Sequence, residues 1–190
     1  MMVDYEAVVI GVSAGGFSAL TKLLPLIPVD FSLAMAIVQH RNDDHSNYLC
    51  QHLDKHCKLP VSEATFNGQV LPGHIYLAPA NYHLLIERER LFSLSVEPAV
   101  CYSIPSIDVL FESAADAYAE TLIGIVLTGT NDDGSLGLKK IRARGGLAIV
   151  EDPRSAEVST MPQSAIDIAG ADHILPLPEI AGLLTGIAHG

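Results

Sequence analysis

Three short segments carry residue types that together could transfer an acyl group. Ser13 lies in "GVSAGG" (11–16), His40 in "VQHRNDDH" (38–45), and Asp132 and Asp133 in "TGTNDDGSLG" (128–137). A serine hydroxyl is a weak nucleophile at neutral pH, and a histidine whose pKa lies near that pH can take its proton in the transition state. A carboxylate on the other ring nitrogen fixes the tautomer and stabilises the imidazolium. The developing oxyanion needs donors. The free backbone N–H groups at the start of a helix after Ser13 can supply them, Ala14 first because it follows the nucleophile. Each residue has a plainer reading as well: Ser13 as a helix N-cap, His40 as a strand-end histidine bonded to backbone, and Asp133 as a turn or cap aspartate.

The elements that must position these residues are short apolar β-type runs alternating with helical patterns. Residues 6–12, 33–38, 121–127 and 146–150 read as strands apolar on both faces, as parallel strands covered by helices must be. Helical stretches fall at about 16–24, 46–57, 106–119, 134–143, 162–169 and 178–187. The spacing predicts an α/β, doubly wound, mainly parallel sheet flanked by helices in three layers. Residues 73–98 interrupt the alternation with three strand-like runs, and "ERER" (87–90) reads as the turn of an added antiparallel β-hairpin at or beyond the sheet edge. One domain over residues 1–190 is expected. Ligands of such sheets bind beyond the carboxyl ends of the strands, and Ser13, His40 and the Asp132–Asp133 pair each follow a strand.

Rival chemistries fit less well. A dinucleotide fingerprint wants glycine where Ser13 stands, and a Walker A loop wants a lysine that does not come until Lys22. His40, Asp43, Asp44 and His45 could be metal ligands. His52 and His56 sit at i, i+4, but Leu53 takes the place of the metalloprotease glutamate, so these read as surface histidines on an amphipathic helix. In "GTNDDG" a calcium loop would begin at Gly129, where aspartate is required. Cys50 and Cys57, at i, i+7, share a buried stripe, and with Cys101 they read as reduced thiols. Ser106 and Asp108 read as a cap region ahead of the core positions Ile107, Leu110, Phe111 and Ala114. No cofactor or metal is called for.

The balance of charge narrows the partners. Eleven basic against twenty-two acidic residues give a formal net charge of −11, which repels nucleic-acid phosphates. No apolar run is long enough to cross a membrane and no basic segment precedes the first apolar stretch, so a cytoplasmic protein that is not membrane-inserted is the expectation.

Seven blocks, in order, resemble the catalytic domain of the bacterial chemotaxis protein-glutamate methylesterases, the CheB family: "VVIGVSAGG", "VQH", "GQVLPGHIYLAPANYHL", "PSIDVLFESAA", "IVLTGTNDDGSLGLKKIRARGG", "EDPRSAEVSTMPQSAI" and "ADHILPLPEIAGLL". The resemblance runs from about residue 6 to 187. It implies hydrolysis of glutamate γ-methyl esters on the cytoplasmic helices of methyl-accepting chemoreceptors, with release of methanol and with deamidation of certain glutamines. It implies Ser13 as nucleophile, His40 as base and Asp133, before Gly134, as the third member in place of Asp132. Thr130 stands where the family usually has methionine, and its N–H joins Ala14 as an expected oxyanion donor. The family often carries a phosphorylatable receiver domain, which this chain is expected to lack; its regulator is unspecified. Receptor helices are acidic, and Arg41 beside His40 is the expected substrate-binding cation, with Arg154 as further local compensation. A silent scaffold of the same fold and a hydrolase for another ester or amide are the alternatives.

Overall fold

A computed structural model describes residues 3–40 and 47–189. Among them, nine strands and six helices follow one another: β1 (Ala7–Val12), α1 (Gly16–Leu23), β2 (Ala34–Gln39), α2 (Tyr48–His56), β3 (Val61–Glu63), β4 (Ile75–Leu77), β5 (His83–Ile86), β6 (Phe92–Ser95), α3 (Ile107–Tyr118), β7 (Leu122–Val126), α4 (Ser135–Ala143), β8 (Leu147–Glu151), α5 (Thr160–Ala169), β9 (His173–Leu175) and α6 (Leu177–Ala188). Seven strands form one parallel sheet in the order β3-β4-β2-β1-β7-β8-β9, and β5 and β6 form a separate antiparallel pair. The doubly wound reading and the hairpin are therefore borne out.

The central strands are apolar throughout because both faces are covered. In β1, Val8, Ile10 and Val12 pack with α1, α2 and α6, whereas Ala7 and Val9 pack with α3, α4 and α5 and with the hairpin. The chain leaves β1 toward β2, β4 and β3, then returns to the other side of β1 at β7. That reversal makes a crevice at the carboxyl ends of β1, β2 and β7, the place where such sheets bind ligands.

Two strands escaped the reading of the sequence, both of three residues and at the sheet edges: β3 and β9. The first of the three runs in 73–98 supplies β4 and joins the parallel sheet, while the other two form the hairpin. A three-residue strand is too short to show a period of its own. Tyr76 on β4 and Phe92 on β6 pack edge to face with ring centroids 4.8 Å apart, which joins the hairpin to the sheet.

Helices α3 and α4 cross closely at Gly137. A Cβ there would lie 2.4 Å from the Cβ of Phe111 and 3.2 Å from the Asp108 backbone. Gly137→Ala is expected to lower unfolding stability by about 1–3 kcal/mol through overpacking. Urea denaturation checks this, and an unchanged midpoint would contradict the crossing.

Candidate active site

The end of β1 delivers Ser13. The last ladder bond between β1 and β2 runs from His40 N–H to Val12 O (2.9 Å), and Ser13 N–H then turns to Thr128 O beyond β7 (2.9 Å). The chain at Ser13 is thus held on both sides. Helix α1 begins three residues later at Gly16, with Gly15 as its N-cap and no side-chain cap bond. Among the described residues the Ser13 hydroxyl makes no hydrogen bond, so the plain cap reading does not hold for it. The Ala14 and Thr130 N–H groups likewise donate to no acceptor among the described residues. They are available to a ligand.

The loop after β7 comes within touching distance of Ser13 at Gly129. A Cβ there would sit 2.9 Å from Ser13 Cβ and 2.6 Å from Met161 Cε, so only glycine lets the loop pass. Gly129 N–H donates to Val158 O (3.1 Å), and Gly129 O accepts from Met161 N–H (2.9 Å). The segment around residues 158–161 thereby fixes the position of Thr130, whose side chain is exposed.

The end of β2 delivers His40. Its Nε2 lies 2.7 Å from Asp133 Oδ2, with the histidine side chain 11% exposed and the aspartate fully buried. An ionised carboxylate only accepts, so Nε2 carries the proton and Nδ1 the lone pair. Ser103 Oγ lies 3.4 Å from that Nδ1. The Asp133 carboxylate accepts three further bonds: from Ile107 N–H to Oδ2 (2.7 Å), and from Asp108 N–H and Ser106 O–H to Oδ1 (both 2.9 Å). Asp133 therefore serves the start of α3, whose N-cap residue is Ser106, and holds His40 with one group; it does not cap α4, the helix that follows it. Burial favours its neutral form, but the bonds from His40, Asp108 and Ile107 outweigh that and hold the carboxyl below its ordinary value. Asp132 is exposed, so the choice of Asp133 over its neighbour agrees with the geometry.

Asp108 returns the favour to α4. Its Oδ1 accepts from Gly134 N–H (2.9 Å) and Gly137 N–H (2.7 Å). Burial pushes its carboxyl up to about 6 against those two bonds, and the charge of Asp133 adds to the rise. His83, buried on β5, accepts from Ser106 N–H at Nδ1 (3.1 Å) and reaches Pro98 O with Nε2 (3.2 Å), so the hairpin helps to set the start of α3. On the β8 side, Glu151 accepts from Thr128 N–H (2.9 Å), while Thr128 Oγ1 donates to Ala14 O (2.8 Å). Burial drives the Glu151 carboxyl upward.

Arg41, with Asp43, Asp44 and His45, lies outside the described residues. The Arg154 guanidinium is claimed by Asp152 at 2.7 Å, so it is a matched surface pair and not a spare positive charge. His52 and His56 stack ring on ring, 4.3 Å between centroids, at the surface end of α2. Cys50, Cys57 and Cys101 are not joined to one another by a disulfide, and the buried Cys50 thiol points to Val61 O. Among the described residues the one group with metal-ligating side chains in reach of one another is Cys101, Asp108 and Asp133. Both carboxylates in it are already occupied by N–H donors. Gln39, His83, Ser103, Thr128 and Glu151 were not singled out as site residues. Gln39, His83, Thr128 and Glu151 each sit inside a block quoted above, and Ser103 lies two residues before one.

Comparison with known proteins agrees with this geometry. A sequence profile described as CheB methylesterase matches residues 8–184. A Leptospira interrogans protein, provisionally named a protein-glutamate methylesterase/protein-glutamine glutaminase, is 47% identical over 180 residues, covering 95% of this chain and 93% of its own. A Geobacter metallireducens protein-glutamate methylesterase/protein-glutamine glutaminase is 38% identical over 95% of this chain, which spans 50% of that longer protein. The crystal structure of the Thermotoga maritima CheB methylesterase catalytic domain superposes with a TM-score of 0.93 at 32% identity, covering 97% of this chain and all of the other.

Asp133→Asn leaves an amide NH2 facing backbone donors and is expected to cost about 2–4 kcal/mol at neutral pH. Because the folded-state pKa of Asp133 is depressed, its stabilisation is full above the ordinary carboxylate value of about 3.9 and is lost as pH falls through the lower folded value. Denaturation of both proteins across pH 2–7 (roughly the carboxylate range) should show the gap closing at the acid end. A gap independent of pH would contradict the ionised, hydrogen-bonded state.

Proposed function

The chain belongs to the CheB methylesterase family, and on that premise we propose that it hydrolyses glutamate γ-methyl esters through Ser13, His40 and Asp133. The observation that carries the reading is the 2.7 Å bond between His40 Nε2 and buried Asp133, on the strand next to the one that ends in Ser13. Ser13 Oγ attacks the ester carbonyl and passes its proton to His40 Nδ1, whose lone pair the Asp133 bond secures. The Ala14 and Thr130 N–H groups receive the oxyanion. The tetrahedral intermediate expels methoxide, which takes the proton from His40 and leaves as methanol. Water, activated by the same histidine, cleaves the glutamyl-serine ester to carboxylate and free Ser13. The same steps on a glutamine side chain release ammonia in place of methanol, in keeping with the double name of the relatives.

The substrates proposed are methylated cytoplasmic helices of chemoreceptors. No helix among the described residues is long and apolar enough to cross a membrane, which suits an enzyme that meets those helices from the cytoplasm. Arg41 is proposed as the cation nearest the acidic substrate. The scaffold alternative had two grounds, the expected lack of a receiver domain and Thr130 standing at the usual methionine position. Thr130 offers its backbone N–H and exposes its side chain, so its identity matters little to oxyanion binding.

Two measurements test this. Ser13→Ala should abolish methanol release from methylated receptor, and retained release would end the assignment. Thr130→Ala should keep kcat within about threefold, since the donor is backbone; a loss near the 100-fold typical of a removed oxyanion donor would place the side chain in the chemistry.

A further inference from the structure

Gln39 is the last residue of β2, and its side chain does something the catalytic triad does not. Its Nε2 donates to Ser13 O and to His40 O, both at 2.9 Å. One amide thus ties together the backbone of the nucleophile and of the base. With two carbonyl partners, the NH2 end must face them. The Oε1 end is buried without a partner among the described residues, packed over Gly16, where an added Cβ would come within 2.0 Å of it. An orphaned buried acceptor is costly, so the two bonds at the other end of the amide must outweigh it.

We propose that Gln39 is a positioning residue that aims the Ser13–Ala14 peptide, so that Ala14 N–H points at the oxyanion. The proposal rests on Ser13 being the nucleophile. Ser13 C=O and Ala14 N–H belong to one planar trans peptide, in which carbonyl and N–H point in opposite directions. Holding the carbonyl against Gln39 and Gly16 N–H (2.9 Å) therefore fixes the direction of the N–H. The neighbouring peptide is held in the same way, by Thr128 Oγ1 on Ala14 O (2.8 Å). The donor is set before substrate arrives, which is what makes an oxyanion site effective. The bond to His40 O keeps the base in register with the same peptide.

Two substitutions separate this from mere packing. Gln39→Glu keeps the shape, but its ionised carboxylate faces two carbonyls and can donate to neither. Gln39→Met keeps the length and has no donor at any pH. Both should lower kcat for methanol release by about tenfold or more, with KM within about twofold, because the loss lies in the transition state. As pH falls, the activity of Gln39→Glu relative to wild type should recover, since a protonated carboxyl can donate one bond. Gln39→Met should show no such recovery. Retention of kcat within twofold by both variants, or equal losses at every pH, would overturn the proposal. If Gln39→Glu does not fold, as judged by its circular dichroism, the kcat and KM of Gln39→Met decide. Ser13→Ala in the same assay keeps the two claims apart: an active Ser13→Ala defeats the nucleophile, whereas an inactive one beside a fully active Gln39→Glu and Gln39→Met defeats only the role of Gln39.

Discussion

Two helices exchange carboxylates at their N-termini, and the site depends on that exchange. Asp133, just before α4, accepts from the first N–H groups of α3. Asp108, in the first turn of α3, accepts from the first N–H groups of α4. Each helix start has donors that lack intrahelical partners and a partial positive charge, and each receives a buried carboxylate from the other. The close crossing at Gly137 is what brings the two starts within reach. Asp133 has one position left after serving the start of α3, and His40 fills it. The carboxylate that His40 meets is thus held in place by the start of α3, and the proposed orientation of the base follows from that.

The same economy governs Ser13, the proposed nucleophile. Carbonyls around Ser13 are tied off by Gln39 and Thr128, while the N–H groups of Ala14 and Thr130 stay open. Such selective satisfaction leaves donors facing a crevice instead of a helix interior. It also explains why buried polar residues gather at this one rim: Ser106, Asp108, Thr128, Asp133 and Glu151 all lie at or near it. Buried polar groups need partners, and here most of the partners are backbone groups of the catalytic turns.

Much of this was legible in the sequence because it is written in local patterns. The strands β1, β2, β7 and β8 are apolar on both faces, and the helices between them carry clear periodicity. Ser13, His40 and Asp133 could be placed on one rim from strand ends alone, but the choice of Asp133 over Asp132 came from family resemblance. The geometry agrees with it, since Asp132 is exposed. What stayed hidden was whatever depends on long-range pairing. The short edge strands have no period to read. The Asp108–α4 bonds, the His83–Ser106 bond and the Gln39–Ser13 bond join residues 23–29 positions apart in the chain, and no local spacing encodes them. Arg154 failed as a spare cation because its partner Asp152 sits two residues away.

The central claim is that a covalent glutamyl ester forms on Ser13 under the control of His40 and Asp133. Rapid-quench mass spectrometry during turnover of a methylated receptor reads it directly. The account predicts a transient adduct on the peptide containing Ser13, absent when His40 is replaced by alanine. Steady methanol release with Ser13 unmodified at every time point, and with Ser13→Ala turning over as fast as wild type, would contradict it.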